Sequence, residues 1–348
     1  MLKDIMSDTT IKNMEEFAVV SGISRPTLSK YFNDPESVRQ STKAKIEAAL
    51  ELHAYRPNMY AMNQNRRSTR NIGIIVPFLA DPFFAEIARN IENLVINEGY
   101  RPILLSSHGD PRQEVENLIS LRDIKPAGVL LAPLGRASNI AEVGELCSEF
   151  PTVLFDCNIE SLNHAFVGHN NTQATDIMVD YLVRTGEPPV YFEMKKPPNP
   201  NANKRRLSYI NSMERHGLEP SIFSVEGESW NFEGIGYNRG KELISSKDLT
   251  NGTVLFTNDR LAIGFLAAAY EMGLRVGRGN GCALRVAGHD NHPYSRFTCP
   301  ALTTVSHDYD AISRTSVARL FDRLENRVDG NSTNEQLFPG KLIMRDSA

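Results

Sequence analysis

Hydrophobic positions along this chain change their period, and each change marks a boundary. Between residues 14 and 53 they are sparse and helically spaced: Phe17, Ala18 and Val20, then Leu28, then Ile46, Ala49, Leu50 and Leu52. This predicts three short helices at about 14–20, 25–32 and 40–53, with Asn33-Asp34-Pro35 as the break before the third. Residues 57–70 lose the periodicity and read as a linker. From Asn71 the apolar residues come in unbroken runs, at 72–77, 101–106, 128–132 and 152–156, separated by amphipathic helices at 83–97 and 112–123. Continuous runs of that length are strands buried on both faces, so the alternation predicts a doubly wound parallel sheet. A second series follows a crossover at 164–168. It comprises strands at 190–192, 221–225, 253–256 and 284–287, and helices at 173–184, 204–216 and 259–272. The Pro-rich stretch 195–200 is a loop.

Local chemistry sharpens the first segment. Asn13 and Glu16 have capping-box spacing, Gly22 is free to take positive φ at a tight turn, Ser24 caps the next helix, and Pro26 falls in its first turn. Two short helices joined this way form a helix-turn-helix whose second helix can enter a major groove. The charge balance agrees weakly: residues 1–70 carry 11 Lys/Arg against 8 Asp/Glu, within a chain whose net charge is −4. Cys147, Cys157, Cys282 and Cys299 are scattered without a C-x-x-C pair, so neither a metal site nor a disulfide framework is expected. No apolar signal core or membrane-length run is evident, and a cytoplasmic protein without cofactors is expected. The close glycines at 234–236 and 277–281 lack dinucleotide spacing. No G-x-S-x-G or Walker lysine is present, which argues against an enzyme.

Gly22-Ile23-Ser24, Thr27-Leu28-Ser29-Lys30, Asn33 and Tyr55-Arg56-Pro57-Asn58 resemble the headpiece of the lactose-repressor (LacI) family of bacterial transcription regulators, and the resemblance extends over nearly the whole chain. It implies a helix-turn-helix headpiece at 1–56, a hinge at 57–70 and an effector-binding and dimerisation domain at 71–348. The last would be a two-lobed, periplasmic-binding-protein-like clamshell. Its first lobe is placed at about 71–166 and 309–335, including a final helix at about 310–327, and its second at about 167–305 and 336–345. Arg25, Pro26 and Lys30 match base-reading positions, while Ser24, Thr27, Ser29 and Asn33 suit phosphates. In the hinge, Asn58, Ala61, Met62 and Gln64 lie where the family inserts a leucine into the minor groove. Gln64 stands at that position with Met62 the nearest apolar residue, so both a wedge and a plain polar tether remain open.

The expected effector cleft lies at the carboxyl ends of the strands. After the first strand come Phe78, Asp81, Phe83 and Phe84, of which one phenylalanine also suits the helix core. Asp156 follows another strand. By resemblance, Arg206, Trp230, Asn258, Asp290 and His307 complete the set, with Arg206 also readable as a surface charge. An aromatic platform ringed by Asp, Asn and Arg suits a polyhydroxylated ligand. The expected protein is a homodimer that binds pseudo-palindromic double-stranded operator DNA under control of a sugar-type effector. A nucleobase-sensing co-repressor system is the alternative, and a solute-binding protein leaves the headpiece unexplained. No heptad extension follows Leu342-Ile343-Met344, so no tetramerising coiled coil is expected.

Overall fold

The computed structural model describes residues 11, 13–33, 35–56, 69–227, 230–249, 251–327 and 334–348, and its contacts divide the chain into two units that meet at Thr69 and Arg70. The hinge candidates Asn58, Ala61, Met62 and Gln64 lie outside the described residues.

The first unit holds helices α1 (Met14–Ser21), α2 (Arg25–Asn33) and α3 (Gln40–His53). Asn13 accepts from the Glu16 amide at 2.8 Å, and its side-chain amide donates to the Glu16 carboxylate at 3.1 Å. Gly22 ends α1 at φ 67°, a conformation that costs an L-residue with a Cβ. The buried core is Phe17, Leu28, Ile46 and Tyr55, with Phe17 and Tyr55 stacked at 4.4 Å. Four buried side chains make a thin core.

The second unit has two lobes. Its first sheet contains β1 (Asn71–Val76), β2 (Arg101–Ser106), β3 (Gly128–Leu131), β4 (Thr152–Phe155), β5 (Phe166–His169) and a strand from late in the chain, Glu335–Phe338. All pairings are parallel, and the order runs Glu335–Phe338, β5, β4, β3, β1, β2. Helices α4 (Pro82–Asn97), α5 (Pro111–Ile124), α6 (Ile140–Glu149) and a late helix, Tyr309–Leu324, cover it.

The second lobe holds α7 (Asn171–Thr185), β6 (Pro189–Met194), α8 (Asn201–Arg215), β7 (Ile222–Val225), α9 (Phe232–Ser245), β8 (Gly252–Phe256), α10 (Asp259–Glu271) and β9 (Leu284–Ala287). Its parallel sheet is ordered β7, β6, β8, β9. Beyond it, β10 (Thr304–Ser306) pairs antiparallel with a last strand, Lys341–Ile343. With the late elements numbered in order, Tyr309–Leu324 is α11, Glu335–Phe338 is β11 and Lys341–Ile343 is β12. Among the described residues, no helix is long and apolar enough to cross a membrane.

Two expectations need correction. The crossover at 164–168 is instead a strand of the first sheet, because Phe166 and Val167 pair with β4 and the whole of β5 with β11. The first lobe therefore runs through His169 and through Phe338, and the chain passes between lobes at 169–171, 306–309 and 338–341. Helix α6 adds an element that the apolar pattern does not predict. Gly234, Gly236 and Gly240 mask the pattern of helix α9, and the last two serve contact with α10: a Cβ on Gly236 would lie 2.1 Å from Leu261 O, and one on Gly240 2.8 Å from the Phe265 ring. Glycine there lets two helix backbones meet.

Candidate functional site

In the headpiece, Ser24 Oγ accepts weakly from the Thr27 amide at 3.4 Å and shares a 2.8 Å hydrogen bond with the Thr27 hydroxyl. Arg25, Pro26 and Lys30 are exposed at the start and middle of α2, and Ser29 is half-buried. Arg25 pairs with Glu15 of α1 at 3.2 Å, both side chains being 65% exposed, so the guanidinium is held near the helix start by a contact that a base edge can displace. Leu28, on the opposite face, is fully buried. Helix periodicity thus separates a packing face from an exposed, basic face within nine residues.

The second unit's cavity lies between its lobes at the carboxyl ends of the strands. It is small, about 40 Å³, and its lining includes Asp81, Phe83, Phe84 and Asp156 from the first lobe and Arg205, Trp230, Asn258, Arg260 and Asp290 from the second. Asp81 caps α4, accepting from the Phe83 amide at 2.9 Å, and its other oxygen accepts from Arg260 at 2.9 Å across the cleft. Arg260 also donates twice to Glu233, at 2.6 and 2.7 Å. Burial raises the Asp81 pKa, and Arg260 offsets only part of that rise. Phe78 does not line the cavity; it stacks on Trp230 at 5.1 Å with planes 9° apart, a second bridge between lobes. Phe84 is buried in the core as well as lining the cavity, whereas Phe83 is half-buried at the wall. Asn258 caps α10 through the Leu261 amide at 2.9 Å.

At the back of the cavity stands Arg205. Its Nε donates to Asn171 at 3.0 Å, one terminal nitrogen to Thr257 O at 2.8 Å, and the other to Asp290 at 2.6 Å. Burial opposes the charge on Asp290, but Arg205 and His307 outweigh it and hold the carboxyl well below the usual carboxylate range. His307 does not line the cavity; it stands behind, 3.3 Å from Asp290 and 3.4 Å from Arg205. Asp156 and Asp290 both have left-handed backbones, at φ 60° and 102°, which aim their side chains off the strand ends. Asp156 is buried, its pKa is pushed up to about 7 by that burial against the pull of Arg205 and Lys204, and it accepts from Asn201 at 3.0 Å.

Arg206, the arginine singled out from the sequence, is displaced from this role by its neighbour. Its side chain is 44% exposed and pairs with Glu193 at 3.1 Å. The buried face of α8 is Asn201, Arg205, Ser208, Tyr209, Ser212 and Met213, an i, i+4, i+7, i+8 stripe; position 206 is turned about 100° away. That stripe was readable, since Tyr209 and Met213 register with 205. His169, Arg260 and Asn201 also went unread. Arg260 directly follows Asn258-Asp259, but nothing local distinguishes His169, at the end of a strand taken for a crossover.

Comparisons with known proteins agree with this geometry. Residues 13–58 match the family "Bacterial regulatory proteins, lacI family", and residues 179–348 match "Periplasmic binding protein-like domain". The ribose operon repressor of Escherichia coli (strain K12) is 26% identical over 312 residues, covering 89% of this chain and 92% of its own. The HTH-type transcriptional repressor PurR of Edwardsiella ictaluri (strain 93-146) is 28% identical, covering 97% and 96%. Among solved structures, that of the lac repressor dimer bound to operator and the anti-inducer ONPF superimposes with TM-score 0.79. Its sequence identity is 23%, and the match covers 97% of this chain and 98% of that one, a likeness of fold.

Proposed function

The chain belongs to the lacI family of bacterial regulatory proteins, and from that premise we propose that it is a sequence-specific DNA-binding repressor controlled by a small polyhydroxylated effector. The observation that carries the effector half is the cavity itself: acidic acceptors and amide groups ring a wall of Phe83, Phe84, Trp230 and Phe232. Vicinal hydroxyls donate to carboxylates and accept from Asn and Arg, while the apolar face of a sugar ring packs on aromatic carbon.

A cavity of about 40 Å³ accommodates water but not a monosaccharide, so the effector enters as the lobes separate. Opening breaks the Asp81–Arg260 pair and the Phe78–Trp230 stack; a bound effector then replaces some of these contacts. An effector changes DNA affinity only by its differential affinity for the two lobe arrangements, and the coupling is reciprocal. On the DNA side, the exposure of Arg25 and Lys30 on α2 supports a role in reading base edges, with Ser24, Thr27 and Ser29 suited to phosphates. Two headpieces in a homodimer would read a pseudo-palindromic operator.

The test is fluorescence anisotropy of a labelled operator from the chain's own promoter region, titrated at two salt concentrations with and without a panel of sugars. The expected result is operator binding that exceeds that of scrambled DNA and shifts with at least one sugar. Equal affinity for every DNA would end the regulator reading. Operator affinity indifferent to every sugar that binds the protein would end the effector half.

A further inference from the structure

We infer that the cleft's ligand carries a positive charge: Asp156, beside His169, is the counter-ion for a protonated amine on a polyhydroxylated frame, which makes the effector an amino sugar. This rests on the reading of the cavity as an effector site.

The charges around the cavity are unevenly satisfied. Both cavity arginines are committed to the protein's own groups: Arg205 to Asn171, Thr257 and Asp290, and Arg260 to Glu233 and Asp81. Asp81, Asp290 and Glu233 therefore each have a guanidinium, and Asp156 has none. Lys204, the other cation acting on it, is exposed with its ammonium 5.7 Å from the centre of the Phe166 ring. Within reach of Asp156 are the side-chain amide of Asn201 and, at 3.7 Å, His169 Nε2.

His169 does not supply the missing charge. It is 4% exposed, and burial together with His307 and Arg205 lowers its pKa well below the ordinary imidazole value, so it stays neutral. His169 lines the cavity, and its two buried ring nitrogens have no hydrogen-bond partner. A buried imidazole with two unmet nitrogens costs free energy unless something that enters the cavity meets them. A neutral imidazole offers one donor and one acceptor, which suits a hydroxyl or amine beside the carboxylate.

The walls point the same way. Phe83, Phe84, Trp230 and Phe232 surround the cavity, and aromatic faces attract an ammonium while giving a phosphate or carboxylate nothing. An anionic ligand would find no uncommitted guanidinium and would meet the unpaired Asp156. Beside an uncharged sugar the buried Asp156 carboxyl would tend to keep its proton, whereas an ammonium draws it into the charged form and pairs with it.

The experiment is isothermal titration calorimetry of the full-length protein at neutral pH with matched pairs: glucose and glucosamine, galactose and galactosamine, mannose and mannosamine, with glucose 6-phosphate as the anionic probe. The expected result is an amino sugar that binds about tenfold or more tightly than its hydroxyl parent, a preference that Asp156→Asn reduces to about one. Asn suits the left-handed backbone at 156 and keeps an oxygen for Asn201, so the variant is expected to fold, which its melting curve checks. A neutral sugar or the phosphate binding as tightly as the amines would overturn the inference while the effector reading stands. So would a preference that survives in Asp156→Asn. If none of the probes binds, the polyhydroxylated-effector reading falls, and this inference falls with it.

Discussion

Asp156→Asn makes the strongest test of the electrostatics, because it can be read without any ligand. In the folded protein the Asp156 carboxyl is pushed from the usual 3.8 to about 7, chiefly by burial. The folded state therefore holds this proton more tightly than the unfolded chain, and stability falls as pH rises between those values. A rise of about three units is worth on the order of 4 kcal/mol of stability, fully present below about pH 4 and fully lost above about pH 7. Asparagine removes the titration, retains an acceptor for the Asn201 amide and tolerates φ 60°. The variant should match the wild type near pH 4.5 and become progressively more stable up to about pH 7.5, after which the gap stops widening. At roughly 2 °C per kcal/mol for a domain of this size, the difference in melting temperature reaches several degrees. Scanning fluorimetry from pH 4.5 to 8.5 measures it. A gap that stays flat with pH, or a variant less stable than wild type at pH 8, would show that the carboxylate is already compensated and refute the reasoning.

The neighbouring arginines should separate cleanly: Arg205→Ala leaves Asp290 buried without its partner and should cost about 3–5 kcal/mol, whereas Arg206→Ala should cost less than about 1 kcal/mol, both by urea unfolding. Equal losses would mean that the pairing geometry of helix α8 is wrong. Trp230→Ala removes one half of the inter-lobe stack and a cavity wall, so the effector should no longer shift operator affinity while operator binding itself persists; a normal anisotropy response would remove Trp230 from the pocket. Arg25→Ala should relax discrimination at one base position by about 1–3 kcal/mol, and uniform weakening on all sequences would assign Arg25 to the phosphates instead. Phe17→Ala empties a core of four buried residues and should cost about 3–5 kcal/mol, abolishing operator binding with sugar binding intact; retained operator affinity would contradict so thin a core.

Much of this molecule is encoded over short distances along the chain. The Asn13 cap, the glycine turn at Gly22 and the Ser24 start of α2 involve residues three or four apart, and interactions of that range are visible to anyone counting positions. The same holds for the buried strands, whose unbroken apolar runs, such as Ile72–Val76, betray a sheet covered on both faces. Asp81 and Asp156 could be picked out because each follows a strand at a sheet's carboxyl edge, whereas Trp230, Asn258 and Asp290 rest on the family resemblance.

Tertiary structure decided the remainder, since burial and pairing depend on partners distant in the chain. Asp81 meets Arg260 across 179 residues, and Arg205 meets Asp290 across 85. Which of two adjacent arginines turns inward was a question of helix register against Tyr209 and Met213, and it moved the charge from 206 to 205. His169 became a cavity residue because β5 pairs with β4, which places the strand end beside Asp156. Local periodicity specifies which face of an element is apolar; only the assembled lobes determine which polar groups are left without a partner, and in this protein His169 and Trp230 at the cavity are among them.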